Sequence, residues 1–167
     1  PGTKIPVDSH LYIKGEKLKY VSRGGLKLEK AIKEFSLDLS QLIMLDIGSS
    51  TGGFTDCALQ NGAKEVYALD VGTNQLVWQL RNDERVHVME QTNFRYASLD
   101  MFKYGQPDIA TADVSFISLK HIFPPLQTIL KDDGYFIALI KPQFEAGREK
   151  VGKKGVVREP EIHREVI

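Results

Sequence analysis

The feature that most constrains the fold is an apolar run that leads directly into a glycine-rich turn. Residues 42–48 read Leu-Ile-Met-Leu-Asp-Ile-Gly, and residues 48–53 read Gly-Ser-Ser-Thr-Gly-Gly. The apolar run predicts a buried strand, and we expect a helix over residues 52–60, with Gly62 past its end. A strand, turn and helix in this order aim backbone N–H groups at one point, which suits a phosphate or carboxylate group.

The same alternation continues along the chain. Further strands are predicted over residues 65–71, 85–90, 107–115 and 134–142, and helices over 24–35, 74–81 and 118–130, the last with Pro124 and Pro125 near its start or at a kink. A final helix begins around Pro160. This order predicts an α/β, Rossmann-like fold with a mostly parallel sheet and helices on both faces. One or two further strands are expected beyond residue 167.

Three segments lead to more local predictions. Residues 11–21 alternate apolar and polar side chains, which suggests a short hairpin or a pair of extended segments. Residues 143–158 contain glycines and charges without periodicity, which predicts a mobile loop. In the first helix, one face should carry four apolar side chains, those of Leu28, Ala31, Ile32 and Phe35.

Composition excludes several classes of protein. The 167 residues are enough for one domain, and a single cysteine, Cys57, rules out an internal disulfide. The four histidines are scattered, so we expect surface or packing roles and no metal site. No apolar run approaches the ~20 residues of a membrane span, and no signal peptide opens the chain. We therefore expect a cytoplasmic protein, and the initial Pro1 suggests a fragment.

The charges are unevenly distributed although the net charge is zero. Residues 1–35 and 141–167 have an excess of Lys and Arg, whereas residues 36–140 have seven Lys/Arg and thirteen Asp/Glu. Two basic ends around an acidic middle could bind a polyanion. Ordinary solvated surface charge explains the same distribution, and this fact alone does not separate the two.

The glycine spacing favours one nucleotide-like ligand over others. The order G-S-S-T-G-G lacks the middle glycine of the dinucleotide turn, because Ser50 stands there, and it lacks the G-K-[ST] ending of a P-loop. An acid before the first glycine, Asp46, suits the ammonium of S-adenosylmethionine. Asp70, at the end of the second predicted strand, could accept from both ribose hydroxyls. Alternatively, both acids merely cap strand ends.

Four motifs carry a family resemblance. They are YVSRGGLKL at residues 20–28, DIGSSTGGFTD at 46–56, TADVSFISL at 111–119 and LIKPQFE at 139–145. In this order they resemble the TlyA (haemolysin A-like) family of FtsJ-like RNA ribose 2′-O-methyltransferases, over residues 20–167. The resemblance implies S-adenosylmethionine-dependent methylation of ribosomal RNA, on cytidines in both subunits. It also implies that residues 1–16 are the tail of an S4-like RNA-binding domain and its linker, and that residues 17–167 are the methyltransferase domain.

The resemblance also implies a catalytic set of two lysines, an aspartate and a glutamate. By motif, these fall on Lys27, Asp113 and Lys141, with the glutamate beyond residue 167. The chemistry is reasonable without the family, because a ribose hydroxyl must lose a proton, and a lysine amine can accept it when a second cation favours its neutral form. Asp113 and Lys141 should lie together at strand ends. Without the motif, Lys27 would be read as a solvated helix lysine.

Further residues complete the predicted site. Asn93 follows the third strand and is placed to read an adenine edge, although it could simply form a turn; Glu90 is a weaker candidate. Arg23 could hold a substrate phosphate or be an ordinary surface residue. The full cofactor set is Asp46, Gly48, Ser49, Ser50, Thr51, Gly52, Gly53, Phe54, Asp70 and Asn93, and the RNA-binding set is Arg23, Lys30, Arg148, Lys153 and Lys154.

Two other functions compete with RNA methylation. The haemolysin name of the family suggests a membrane-lytic protein, against which the sequence offers neither a spanning segment nor a long basic amphipathic helix. A methyltransferase acting on another substrate, or a nicotinamide enzyme, could use the same scaffold, because a fold does not fix a function. The paired lysines and basic ends argue against this last hypothesis.

Overall fold

A computed structural model describes residues 6–10 and 18–167, which contain five parallel strands and six α-helices. The strands are β1 (Ile43–Ile47), β2 (Glu65–Leu69), β3 (Val86–Met89), β4 (Ile109–Ala112) and β5 (Tyr135–Ala138). The helices are α1 (Gly24–Glu34), α2 (Gly53–Gln60), α3 (Trp78–Arg81), α4 (Phe123–Ile129), α5 (Pro142–Glu145) and α6 (Pro160–Glu165). The predicted α/β class is confirmed. Most of the hairpin predicted over 11–21 lies outside the described residues.

The sheet has the strand order β3-β2-β1-β4-β5. The chain builds outward from β1 to β3 and then returns to the other side of β1 for β4 and β5, so the order reverses between β1 and β4. The register places Ile47 level with both Leu69 and Ala112, and Ala112 level with Ala138. The carboxyl ends of these strands therefore meet at one edge, and ligands of open α/β sheets bind at such a reversal.

Alternation along each strand produces one core on each face of the sheet. Met44, Val66 and Ile109 pack with α1 and α2 on one face. Leu45, Tyr67 and Ala110 pack with α4 on the other. Asp46 falls on the α1 and α2 face by the same alternation, which brings a carboxyl group into an apolar layer.

Three local predictions need correction. Phe35 is 69% exposed, because α1 ends at Glu34 and the backbone of Phe35 is no longer helical. The helix predicted over 74–81 spans only α3, since Asn74 has φ +56° and Val77 is extended. The supposed loop over 143–158 contains most of α5 and a 3₁₀ helix, Arg148–Lys150.

The proline-rich helix is resolved into two parts. A 3₁₀ helix, Leu119–His121, precedes α4, whose prolines stand in its first turn. Proline is tolerated there because the first N–H groups of a helix have no partner within it. Pro160 occupies the corresponding place in α6, as predicted.

Candidate active site

A cleft of about 690 Å³ opens where the strand order reverses. We call it the main cleft. Its walls are the turn after β1, the ends of β2 and β4, the residue Lys141 after β5, and the start of α1. A volume of several hundred Å³ is typical of sites for ligands the size of a nucleoside.

The glycine turn forms the floor of the main cleft through unusual backbone angles. Gly48 and Gly52 have φ +82° and +101°, and Ser50 also lies in the left-handed region at φ +49°. The N–H groups of Gly48 and Ser49 both donate to the carbonyl of Leu69, at 2.8 and 3.0 Å, which fastens the turn to β2. At φ +101°, a side chain on Gly52 would strain the backbone, and its β-carbon would also lie 2.3 Å from Cδ1 of Leu80, so glycine is favoured at this position.

Asp46 lines the cleft from within the core. Its side chain is almost fully buried, and one oxygen accepts a hydrogen bond from the Thr55 hydroxyl at 2.8 Å. A longer contact of 3.4 Å joins the other oxygen to the Thr111 hydroxyl. Burial raises the pKa of Asp46 to about 7, and these hydrogen bonds offset only part of that effect. The group is therefore poised to ionise when a cation arrives beside it.

Asp70 lies directly after β2 and holds two loops through its carboxylate. Its Oδ2 accepts from the N–H of Ser50 at 2.8 Å, and its Oδ1 accepts from the N–H of Gly72 at 2.8 Å. This is the capping role that was the alternative reading of the sequence. A carboxylate offers about four acceptor positions, however, so two remain for a ligand in the cleft that Asp70 also lines.

Asp113 bridges two lysines that are distant in the sequence. Its Oδ2 accepts a hydrogen bond from Nζ of Lys27 at 2.8 Å, and its Oδ1 lies 2.7 Å from Nζ of Lys141. The second contact is an ion pair without hydrogen-bond geometry, and Oδ1 accepts no hydrogen bond from the described residues. Lys141 donates instead to the hydroxyl of Ser115 at 3.1 Å. We call this group the lysine–aspartate bridge.

The two lysines of the bridge determine the protonation state of Asp113. Burial alone would raise the pKa of Asp113, but the ammonium groups of Lys141 and Lys27 outweigh burial and hold that pKa below its ordinary value. The carboxylate is therefore charged at neutral pH. With both amines protonated, the three groups carry one excess positive charge.

Lys27 reaches the bridge because α1 is fastened to α2. The N–H of Val21 donates to Asp56 in α2 at 2.8 Å, and the two helices touch at their first turns. A β-carbon on Gly53 would lie only 2.8 Å from the backbone nitrogen of Gly25, so the glycine at position 53 allows the approach. Lys27 is 48% exposed at its side chain yet joined to Asp113. The alternative interpretation of Lys27 as a solvated helix lysine is therefore incomplete.

Several predicted cofactor residues line the cleft, and one does not. Ser49, Thr51, Gly53 and Phe54 join Gly48 and Ser50 in its wall. Gly52 is turned toward Leu76 and Leu80 behind the turn, where it allows close packing. Asn93 borders the cleft, and its side chain also accepts from the N–H of Arg95 at 3.1 Å, so it forms the predicted turn as well.

Glu90 has a structural role that the sequence did not reveal. Its carboxylate is paired with Arg81 and accepts from the N–H of Asn74 at 2.8 Å. It does not border the main cleft. Both oxygens of Glu90 are thus engaged in holding the loop between β2 and α3.

Sequence reasoning missed one aromatic residue at the cleft, Phe116, and a second one that packs against it. Phe116 is 92% exposed, borders the cleft and has φ +64°, which is rare for a residue with a bulky side chain. Its ring lies 5.1 Å from that of Phe144, in α5. An exposed apolar side chain held in an unfavourable backbone conformation is a sign of function. The only sequence signal for a role of Phe116 was its position in the motif TADVSFISL at residues 111–119.

The predicted RNA-binding residues are all on the surface. Arg23 precedes α1, and Lys30 lies within it; Arg148, Lys153 and Lys154 lie beyond α5. Lys153 and Lys154 line a second depression of about 630 Å³, together with Lys150 and Arg158. We call residues 148–158 the basic segment. Neither the basic segment nor Arg23 nor Lys30 borders the main cleft.

The described part of the chain also lacks two kinds of feature. Within residues 6–10 and 18–167, no three His, Cys, Asp or Glu side chains are grouped as a metal site would require. None of the helices found there is both long and apolar enough to cross a bilayer.

Comparison with known proteins agrees with the geometry of the cleft. The model of the FtsJ-like methyltransferase family matches residues 20–167. The chain belongs to this family. The resemblance of the four sequence motifs is thereby confirmed, as is the expectation of a methyltransferase fold.

Individual relatives extend this match. YqxC of Bacillus subtilis (strain 168), which carries an rRNA methyltransferase name, is 64% identical over 167 residues, covering 100% of this chain and 59% of the relative. The 16S/23S rRNA (cytidine-2′-O)-methyltransferase TlyA of Mycobacterium tuberculosis (strain ATCC 25618 / H37Rv) is 45% identical over 143 residues, covering 86% of this chain and 53% of TlyA. The chain thus spans little more than half the length of these relatives.

A solved structure gives the same picture in three dimensions. A protein from Streptococcus thermophilus that carries the hemolysin name superposes with a TM-score of 0.88 and 64% sequence identity. The match covers 92% of this chain and 55% of that protein. The methyltransferase and hemolysin names therefore both occur among proteins similar to this one.

Proposed function

We propose that this chain is the catalytic part of an enzyme that methylates a ribose 2′-hydroxyl of ribosomal RNA, with S-adenosylmethionine as cofactor. The observation that carries the proposal is the lysine–aspartate bridge at the edge of a cleft whose floor is a glycine turn. The turn and the acids supply a place for the cofactor. The bridge supplies a group that can remove a proton from the target.

The residues of the cleft fit S-adenosylmethionine. Asp70 keeps two acceptor positions after binding Ser50 and Gly72, and ribose offers two hydroxyl donors. Asp46, whose pKa is raised to about 7, would become fully charged beside the ammonium of the methionyl end. Asn93 borders the same cleft and would face the adenine. When bound, the cofactor supplies a methyl group on a sulfonium sulfur, and transfer forms an O–C bond as the S–C bond breaks.

The lysine–aspartate bridge supplies the base that removes the proton from the ribose 2′-hydroxyl. Asp113 can neutralise only one of its two ammonium partners. While one ammonium keeps its ion pair with Asp113, the proposal requires the other lysine to present a neutral amine. That amine can accept the proton of the 2′-hydroxyl as the oxygen bonds to the methyl carbon. Lys141 is the more enclosed of the two, at 19% side-chain exposure against 48% for Lys27.

Features at the mouth of the cleft suit an RNA substrate. The exposed ring of Phe116, with Phe144 behind it, offers a face on which an unstacked base can rest. The exposed side chains of Arg23, Lys30 and the basic segment can contact phosphates that position the strand. Such contacts carry little sequence information, so base selection must come from the cleft and from other parts of the protein.

The remainder of the enzyme is part of the same proposal. An S4-like domain ahead of residue 17, with its tail and linker over residues 1–16, would bind RNA as a second tethered site and raise the overall affinity. The catalytic glutamate implied by the family lies beyond residue 167. An enzyme acting on ribosomes would work in the cytoplasm.

Methyl transfer by the full-length protein tests the proposal. Calorimetry should show binding of S-adenosylmethionine, and ribosomal subunits incubated with the radiolabelled cofactor should gain label in RNA. Leakage from dye-loaded vesicles, measured in parallel, tests the membrane-lytic alternative suggested by the hemolysin name. Vesicle leakage without RNA labelling would contradict the proposal, and so would binding of NAD in place of S-adenosylmethionine.

A further inference from the structure

A carboxylate outside the lysine–aspartate bridge joins the two loops that carry the bridge. Glu145 is the last residue of α5 and follows Lys141 by four positions. Its Oε2 accepts from the hydroxyl of Ser118 at 2.6 Å, and its Oε1 accepts from the N–H of Leu119 at 2.9 Å. Both oxygens of Glu145 therefore bind the segment that follows Asp113.

The far side of this contact is well anchored. Leu119 is 7% exposed and packs in the core on the α4 face of the sheet. Ser118 cannot turn freely, because its hydroxyl oxygen also accepts from the N–H of Lys120 at 3.1 Å. Hydrogen bonds to a charged carboxylate are stronger than neutral ones. Glu145 thus ties α5 to a rigid part of the fold.

Three contacts in succession join the exits of β4 and β5. Lys141 meets Asp113 and Ser115, the ring of Phe144 meets that of Phe116, and Glu145 meets Ser118 and Leu119. The first two contacts involve side chains at the cleft. Only the contact made by Glu145 lies away from the cleft. It consists of two hydrogen bonds, both to the same carboxylate.

We infer that Glu145 is a positioning residue, which fixes the amine of Lys141 against Asp113 and the target hydroxyl by locking α5 to the 118–119 segment. The inference rests on the proposed methyl transfer. A proton acceptor displaced by about 1 Å can cost on the order of 100-fold in rate. Glu145 contributes that placement without touching the reacting atoms.

The test compares Glu145→Ala, Glu145→Gln and Ser118→Ala in the full-length enzyme. Glu161→Ala is the matched control, since Glu161 is exposed in α6 and contacts only Arg164 among the described residues, at 3.6 Å. Glu145→Ala should lower kcat about 10- to 100-fold while the Kd for S-adenosylmethionine changes less than about twofold. Glu145→Gln should retain most of the activity, because its amide oxygen can still accept from the N–H of Leu119 while its NH2 group donates to the hydroxyl oxygen of Ser118. Ser118→Ala, which removes one of the two contacts, should fall between them.

Two further measurements separate positioning from simple destabilisation. In a Lys141→Ala background, adding Glu145→Ala should change the residual single-turnover rate less than about twofold, because the residue it positions is gone. Amide exchange should rise over residues 115–121 and 141–146 in Glu145→Ala, but not over α2. A kcat equal to wild type, or an undiminished effect in the Lys141→Ala background, would overturn the inference. Unchanged exchange over residues 115–121 would overturn the contact itself, whereas a wild-type enzyme without methyl transfer would overturn the proposed function.

Discussion

The ammonium nitrogen of Lys141 lies 2.7 Å from Oδ1 of Asp113, across the junction between β5 and β4. Nζ of Lys27 lies 2.8 Å from the other oxygen, so a single carboxylate contacts one amine from α1 and one from beyond the end of β5. Two cations cannot both be neutralised by one anion. In the proposed function, one of these two amines accepts the proton of the target hydroxyl.

Removal of either amine should therefore stop the chemistry without emptying the cofactor site. Lys27→Ala and Lys141→Ala should each lower the rate of methyl transfer on the order of 10²–10⁴-fold, as loss of a general base does. Cofactor affinity, measured by calorimetry, should stay nearly unchanged. Lys33→Ala is the control, because Lys33 is an exposed lysine on the same helix that pairs with Glu29. Full turnover by Lys27→Ala would remove Lys27 from the mechanism.

Asp70 should be needed for cofactor affinity. Loss of its hydrogen bonds to the ligand in Asp70→Ala should weaken S-adenosylmethionine binding by roughly 1.5–3 kcal/mol. The same change frees the N–H groups of Ser50 and Gly72, so thermal unfolding should be followed alongside calorimetry. Asp83→Ala serves as the control, since Asp83 binds only Arg85 in the described structure. Equal cofactor affinity in both variants would contradict the assignment of Asp70.

Asp46 predicts an unusual pH dependence of stability. Its pKa is about 7 in the folded protein, against about 3.9 in an unfolded chain. Between these values the folded carboxyl holds a proton that the unfolded chain has lost, so rising pH lowers the free energy of unfolding. The loss approaches about 1.4 kcal/mol per pH unit and ends near neutral pH.

An uncharged replacement should remove this dependence. The free energy of unfolding of Asp46→Asn minus that of wild type should increase from pH 4.5 to 7 and then level off. Urea titrations of the ligand-free proteins at several pH values measure this difference, in which the other titrating groups cancel. A difference that does not change with pH would show that Asp46 is ionised within the folded core.

Binding of RNA should be electrostatic and only weakly selective for sequence. Log affinity should fall with log salt concentration, with a slope of about −0.7 for each phosphate contacted on a single strand. Combining Arg148→Ala, Lys153→Ala and Lys154→Ala should reduce the steepness of that slope, whereas Lys131→Ala should not, because Lys131 pairs with Asp108 at the opposite end of the strands. An affinity insensitive to salt would contradict this account of the basic segment.

Much of the fold could be predicted because buried strands leave a strong mark on the sequence. The apolar runs predicted all five described strands, and they located the glycine turn, Asp46 within β1 and Asp70 directly after β2. Residues whose surroundings depend on tertiary packing were harder. The burial of Gly25 against Tyr20 and the approach of Gly53 bring Lys27 to Asp113, and periodicity contains no such information.

The incorrect or missing predictions also concern local features that the sequence pattern does not contain. Phe35 continues the apolar period of α1, but the helix ends one residue earlier and leaves its ring exposed. The left-handed conformation of Phe116 is likewise invisible in its residue type. Glu145 was read as part of a loop, and only the positions of Ser118 and Leu119 show what it binds.

The most direct test of the central claim is to determine which atom of the RNA is methylated and whether methylation requires Asp113. Ribosomal subunits are incubated with S-adenosylmethionine and the full-length enzyme, and the RNA is digested and analysed by mass spectrometry for 2′-O-methyl nucleosides. Wild-type enzyme should produce a 2′-O-methylated nucleoside, and Asp113→Asn, which leaves the two lysines without their shared carboxylate, should produce on the order of 10² times less. Methylation of a base, or an Asp113→Asn enzyme as active as wild type, would contradict the account.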